Sequence, residues 1–278
     1  MKSNKIRRWD AIIHKHTLIV NMLPTTFFYS ASQLLIMLLS QFVIIYNVFH
    51  HHFNKPRAPY TNSNIIVSIE GNIGSGKSTL LDRLKLLMFK NKKFVFIQEP
   101  VDEWEKIKNE KGETIVQLFY GDQEKYAFPF QIMAYTSRLR NLKKALKENQ
   151  NSIIICERSL FTDKMVFAKM LRDTNKIGYV DYQIYLDIFN DFSKEFPLHK
   201  IIYVKADPKT CLERVEIRDR AGEKTISIGY LESCHKYHND MIAQLPVEKL
   251  VLDGNQNIYE QAQVLNEWLS SIEKFVEA

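Results

Sequence analysis

The sequence predicts an α/β fold, a parallel sheet of five short strands with helices on both faces. Two observations carry that expectation. From Asn64 onward, short apolar runs alternate with longer stretches of helical periodicity: Ile65 to Glu70, Phe94 to Gln98, Ser152 to Cys156, Ile201 to Val204 and Leu250 to Leu252. The first run opens into Gly71-Asn72-Ile73-Gly74-Ser75-Gly76-Lys77-Ser78-Thr79, which fits G-x-x-x-x-G-K-[ST] at Gly71, Gly76, Lys77 and Ser78. Strand, glycine turn and helix in that order let successive backbone N–H groups turn inward around phosphate oxygens. The helix dipole favours negative charge there. In such a loop Lys77 neutralises the β- and γ-phosphates and Ser78 holds Mg²⁺.

Hydrophobic content of 45% and charged content of 25% are ordinary for a globular protein and exclude a disordered or collagenous chain. The net charge of +6 is unevenly spread. Residues 1–60 carry seven basic groups (Lys2, Lys5, Arg7, Arg8, Lys15, Lys55, Arg57) against Asp10, whereas the remainder balances 31 basic with 31 acidic groups. No nucleic-acid partner is expected from so neutral a body. Cys156, Cys211 and Cys234 are widely spaced without a CxxC pair and read as reduced core residues of an intracellular protein.

Taken in order, the chain divides into an extension, residues 1–63, and a catalytic body, residues 64–278. Between Lys15 and Lys55 no charged residue occurs, and Phe27 to Phe49 is apolar enough for ~20 residues of membrane-spanning helix. Pro24 marks its start and the polar cluster from His50 its end. A membrane contact through residues 27–49 is one expectation, and a mitochondrial targeting segment or a dispensable extension are the others. The stretch from Lys55 to Asn64, with Pro56 and Pro59, reads as a linker.

In the body, the helix after the glycine turn places Leu80, Leu81, Leu84, Leu87 and Met88 at helical spacing, as a core face. The second strand ends in Glu99, followed by Pro100-Val101-Asp102-Glu103-Trp104. A carboxylate at the C-terminal end of such a strand points into the ligand crevice, where it can act as a base. Tyr120 and then Phe128-Pro129-Phe130-Gln131 are expected to precede a long helix. Gln131 and Arg138 stand seven apart, two turns along one face, and can present an amide and a guanidinium to a planar base. The third strand ends in Glu157-Arg158-Ser159, with Asp163 one turn on. Beside a phosphate loop this suits a Mg²⁺ contact by Glu157 and a substrate or transition-state contact by Arg158. After the fourth strand, Arg214 and Arg218 share a helix face and Arg220 follows, the pattern of a lid closing over phosphates. The last strand leads through Asp253-Gly254-Asn255 into an amphipathic helix with Trp268, Leu269, Ile272 and Phe275, which is packing. The loop before that helix falls where the donor base would lie.

From about Ile65 to Phe275 the chain resembles the deoxynucleoside kinase family, in its deoxycytidine and deoxyguanosine kinase branch. The resemblance rests on IEGNIGSGKST, EPVDEW, FPFQ, ERSLFTD, CLERVEIRDR and YLESCHKYH, in the family's order. It implies a three-layer P-loop nucleoside/nucleotide kinase fold with an arginine-rich lid, ATP as phosphoryl donor, Mg²⁺ and a homodimer. By the same resemblance Glu99 deprotonates the nucleoside 5′-hydroxyl, with Arg158 supporting it and the developing charge. Ser78 and Glu157 match magnesium-associated positions. Gln131, Arg138 and Asp163 match base-recognising positions, Trp104 and Phe130 line the nucleoside, and Tyr120 with Glu223 match groups that hold the sugar 3′-hydroxyl. Arg214, Arg218 and Arg220 fall on the lid arginines. Thymidine-preferring relatives have a small residue at the place of Asp163, so deoxyadenosine, deoxyguanosine or deoxycytidine is the expected acceptor. Three departures stand out. Asp219 occupies a lid position usually held by glycine, Ala221-Gly222 loosens the lid segment beyond it, and Gln256-Asn257-Ile258 replaces an acidic pair in the loop that meets the donor base. Two other functions compete: a thymidylate-type nucleoside monophosphate kinase, and a membrane-anchored nucleotide-binding protein without catalysis. The former calls for a basic acceptor pocket where Glu99 stands, and the latter for lost catalytic groups.

Overall fold

The computed structural model describes residues 64–88, 93–258 and 260–277. The expected membrane or targeting segment at 27–49 and the linker lie outside the described residues. Among the described residues, no helix is long and apolar enough to cross a membrane.

Five strands, β1 (Ile65–Glu70), β2 (Phe94–Ile97), β3 (Ile153–Glu157), β4 (Lys200–Lys205) and β5 (Glu248–Asp253), form one sheet in the order β2-β3-β1-β4-β5. Every pairing is parallel. The expected strands fall within one or two residues of these. β1 sits at the centre, and its alternate residues face two different cores. Ile66 packs with Ile154, Ile201, Tyr135, Leu139 and Met241. Val67 and Ile69 pack with Ile155, Ile202, Leu80, Leu84 and Ile272. Burial on both faces explains why the strand reads as a nearly continuous apolar run. Each fully buried Ile or Leu contributes about 1.5–3 kcal/mol.

The layer on the second face is α1 (Lys77–Met88) and, at the chain's end, α10 (Ala262–Glu277). Leu80, Leu81 and Leu84 of α1 are buried, but Leu87 is 63% exposed, so the expected core face stops before the helix's last turn. Next come α2 (Val101–Trp104), α3 (Ile115–Gly121) and α4 (Gln123–Glu148). Phe128 to Gln131 lie inside α4 rather than before it. The helix starts earlier because Asp122 caps it, accepting from the Lys125 N–H at 3.2 Å, and Pro129 is accommodated within it. After β3 the chain runs through α5 (Leu160–Thr162), a π-helical turn (Asp163–Ala168), α6 (Lys169–Asp173) and α7 (Tyr179–Ser193). Beyond β4 lie α8 (Pro208–Arg218), a 3₁₀ turn (Glu223–Thr225) and α9 (Ile228–Gln244). α4, α7 and α9 contribute to the core on the first face, which completes the third layer. The three cysteines are free and buried, as expected.

Candidate active site

A cavity of about 780 Å³ opens at the C-terminal ends of the strands, where ligands bind in open α/β sheets. Residues from the ends of β1, β2, β3 and β5 and from α4 and α8 line it.

The turn after β1 needs its glycines. Gly71 and Gly74 have φ of 147° and 80°, and a Cβ would lie 2.5 Å from the Val204 carbonyl oxygen at the first and 2.4 Å from that of Cys211 at the second. Two interelement contacts therefore hold the loop's shape. Asn72 helps, donating through Nδ2 to the Leu231 carbonyl and accepting from the Ile73 N–H. Lys77 is buried and donates to the Asn72 carbonyl at 2.7 Å. Burial, assisted by the Arg158 charge and opposed by Glu157 and Glu99, pushes its pKa down to about 7. Ser78 Oγ donates to Glu157 Oε1 at 2.6 Å. A hydroxyl and a carboxylate side by side are the oxygen donors a hard divalent cation takes, so the pair fits Mg²⁺.

At the neighbouring strand ends, Glu99 lies between two guanidinium groups. Arg138 donates to its Oε1 at 3.0 Å, and Arg158 Nε stands 3.3 Å from the same oxygen without hydrogen-bond alignment. Burial pushes the Glu99 carboxyl up, but Arg158, Arg138 and Lys77 together outweigh it and hold it at about 2. Glu99 is therefore ionised at neutral pH. Arg158 follows the last residue of β3 in the left-handed conformation, φ 64°. It donates to the Gly71 carbonyl at 2.9 Å and lies over the Phe167 ring. Arg138 donates to both oxygens of Asp163, at 2.9 and 3.3 Å, and to the Glu157 carbonyl. Burial raises Asp163 above the usual carboxylate range while Arg138 pulls it down.

Aromatic rings wall this end of the cavity. Phe130 stacks on Phe119 at 4.5 Å and meets Trp104 edge-on at 5.6 Å, and Trp104 Nε1 is fixed by donating to Ser137. Gln131 is buried, and among the described residues neither its Oε1 nor Ser75 Oγ has a hydrogen-bond partner. Gln131, Ser75 and Tyr230 all line the cavity. Tyr120 packs edge-on against Tyr230 at 6.0 Å. Its hydroxyl is kept protonated by burial first and by Glu223 second.

The three arginines expected of a lid divide into two groups by their contacts. Arg214 donates to the carbonyls of Ser75, Gly254 and Gln256 and so ties the phosphate loop to the loop after β5. Arg218 and Arg220 both donate to the buried Glu223, at 3.1 Å from Arg218 Nε and 3.4 Å from Arg220. Asp219 terminates α8 in the left-handed conformation, φ 47°, which accounts for the glycine expected there. Gly222 is not loose, because a Cβ there would lie 3.0 Å from Gln117 Cα. Gln256, Asn257 and Ile258 line the cavity beside Gly254 and Trp268.

The cavity thus gathers every candidate site residue named from the sequence except Gly71 and Asn72, which are not in its lining. Phe167 and Tyr230 also line the cavity and were not named as site residues, and neither was His238, which is not in the lining but meets the Arg158 side chain. His238 is fully buried on α9 and meets Arg158 at 3.1 Å. Tyr230 and His238 are the first and last residues of YLESCHKYH, one of the stretches that carry the family resemblance, but no role was attached to either from the sequence.

The family model for deoxynucleoside kinases matches residues 67–277. The chain is 32% identical over 221 residues to a probable deoxycytidine kinase of Fowlpox virus (strain NVSL), covering 76% of this chain and 87% of that protein. It is 30% identical over 233 residues to the deoxycytidine kinase of Homo sapiens, covering 72% and 88%. It is likewise 30% identical over 200 residues to a mitochondrial deoxyguanosine kinase of Xenopus laevis, covering 66% and 74%.

Proposed function

The chain belongs to the deoxynucleoside kinase family and is an ATP-dependent deoxynucleoside kinase, and from that premise we propose that Glu99 is its general base and that its acceptor carries an amino-bearing nucleobase. The single observation behind this reading is the ionised Glu99 carboxylate at the strand ends, held by Arg138 and Arg158 in the cavity that Lys77 and the phosphate loop also line. As the bond from the 5′-oxygen to the γ-phosphorus forms and the β,γ-bridging bond breaks, the hydroxyl proton passes to Glu99 and ADP leaves. A carboxylate held near 2 is a weak base, so that proton moves late, and the work is mostly positioning and charge stabilisation. Arg158, reaching both Glu99 and the Gly71 carbonyl, serves acceptor and donor together. Lys77 and the lid arginines neutralise the phosphates. Ser78 and Glu157 would hold Mg²⁺, which when bound offsets charge on the β- and γ-phosphoryl oxygens.

On the acceptor side, Arg138 has committed most of its hydrogens, whereas Asp163 retains lone pairs that an exocyclic amino group can fill. Cytosine, adenine and guanine have such a group and thymine has none. The Gln131 amide at the cavity wall supplies a second polar contact to the base. Relatives named deoxycytidine and deoxyguanosine kinases agree with this preference. Trp104 and Phe130 line the nucleoside, Tyr120 and Glu223 hold the sugar 3′-hydroxyl, and Gln256 to Ile258 meet the donor base. A monophosphate acceptor is disfavoured because Glu99 would repel its phosphate. The test is a phosphorylation panel of the four deoxynucleosides and their monophosphates. Turnover of deoxycytidine, deoxyadenosine or deoxyguanosine above thymidine is expected, and thymidine as best substrate would overturn the base assignment.

The same reading makes residues 64–278 the catalytic unit and residues 1–63 an appendage for membrane contact or targeting, with the enzyme intracellular, cytoplasmic or mitochondrial. A homodimer is proposed from the family resemblance, supported by Val180, Ile184 and Phe192, apolar residues exposed on α7.

A further inference from the structure

Arg158 occupies a left-handed backbone position, so its guanidinium is aimed by contacts rather than by strand geometry. Two of these contacts, to Glu99 and the Gly71 carbonyl, belong to the reacting groups' own framework. A third comes from outside it. His238 Nε2 lies 3.1 Å from Arg158 Nη1, and His238 Nδ1 lies 2.7 Å from the Cys234 carbonyl oxygen one turn back on α9. A carbonyl can only accept, so Nδ1 carries the ring hydrogen. A guanidinium can only donate, so Nε2 must offer its lone pair. The chain of bonds runs in one direction, from Arg158 through a neutral ring to the helix backbone. A second hydrogen on this ring would point at the guanidinium, and burial together with the Arg158 charge keeps the ring neutral. Phe167 confines the group further: its ring lies under the Arg158 guanidinium and edge-on to His238 at 6.1 Å.

We propose that His238 is a positioning residue for phosphoryl transfer, a neutral hydrogen-bond acceptor that orients Arg158 between Glu99 and the phosphate loop. It touches neither substrate nor phosphate and acts through Arg158. The inference therefore rests on the proposed role of Arg158. Losing such an acceptor leaves a buried charged donor free to turn, and kcat falls while both KM values hold.

The test uses the full chain and four variants: His238→Gln, which places an amide oxygen near the Nε2 position, His238→Met, which fills the volume without a strong acceptor, Arg158→Ala, and His238→Met with Arg158→Ala. His238→Met is expected to lower kcat about 10- to 100-fold, the range for a hydrogen bond to a charged group. KM for ATP and for deoxynucleoside should change less than about threefold, and His238→Gln should recover most of the rate at an equal melting temperature. In the Arg158→Ala background the His238→Met change should have no further effect on kcat. Equal rates for the Gln and Met variants, or losses that multiply in the double variant, would overturn the proposal while leaving the Arg158 reading intact. Wild-type kcat in Arg158→Ala would overturn both.

Discussion

Replacing Asp163 by alanine separates two consequences that the structure joins in one side chain. The carboxylate is about 1% exposed and receives two hydrogen bonds from Arg138, itself buried. Removing one partner of a buried ion pair costs about 3–5 kcal/mol, because the survivor is left uncompensated. Here Arg138 keeps Glu99 and the Glu157 carbonyl, so the cost falls at the low end, about 3 kcal/mol. In a domain of this size each kcal/mol moves the midpoint by about 2–4 °C, giving a drop of about 6–12 °C in a thermal melt without ligand. The functional consequence is read from kcat/KM over the four deoxynucleosides. An amino group that loses a charged acceptor forfeits about 10- to 100-fold, whereas thymidine has no such group to lose. The ratio of the best amino-bearing substrate to thymidine should therefore collapse by that factor, even if Arg138 disturbs the rate for all four. An unchanged ratio, or a melt within about 2 °C of wild type, would refute the reasoning.

Lys77 is held near pH 7 by burial, so above that pH the empty site keeps it largely neutral, and bound phosphates draw a proton onto it. At pH 8 ATP binding should take up about 0.9 proton, and at pH 6 hardly any from this group. Titration calorimetry in buffers of different ionisation enthalpy measures this, with Lys77→Met as the variant that abolishes it, and no uptake at pH 8 would contradict the assignment. Gly74→Ala combines a φ of 80° with a 2.4 Å approach to the Cys211 carbonyl, whereas a Cβ at Gly76 meets open space. The first should weaken ATP binding at least about tenfold, and the second should cost only the backbone strain of about 1–2 kcal/mol. Equal affinities in a direct binding assay would contradict the packing argument.

The sheet and the phosphate loop were legible because their constraints are local. β1 is a nearly continuous apolar run since both its faces are covered, and Gly71 and Gly74 of the loop answer to backbone approaches that a side chain would block. Glu99, Gln131, Arg138 and Asp163 were legible by position at strand ends and along one helix face. Leu87 misled because helical periodicity says which face a residue shares and not how far along the helix that face is covered. The start of α4 was misplaced because Pro129 reads as a boundary, while the Asp122 cap well before it sets the start. The pairing of Arg218 and Arg220 with Glu223, and the contact of His238 with Arg158, cross between elements. Such contacts depend on how α8 and α9 meet the sheet, which no spacing within one element encodes. The segment of residues 1–63 contributes the chain's excess positive charge but lies outside the described residues.

The central claim is that Glu99 is the base that receives the acceptor's proton. Glu99→Gln keeps the side chain's shape and still accepts from Arg138, so ATP affinity should stay within about threefold of wild type. In a rapid-quench single turnover with ATP and saturating deoxycytidine, the rate of monophosphate formation should fall about 10²- to 10⁴-fold. A single-turnover rate within about threefold of wild type would contradict the account.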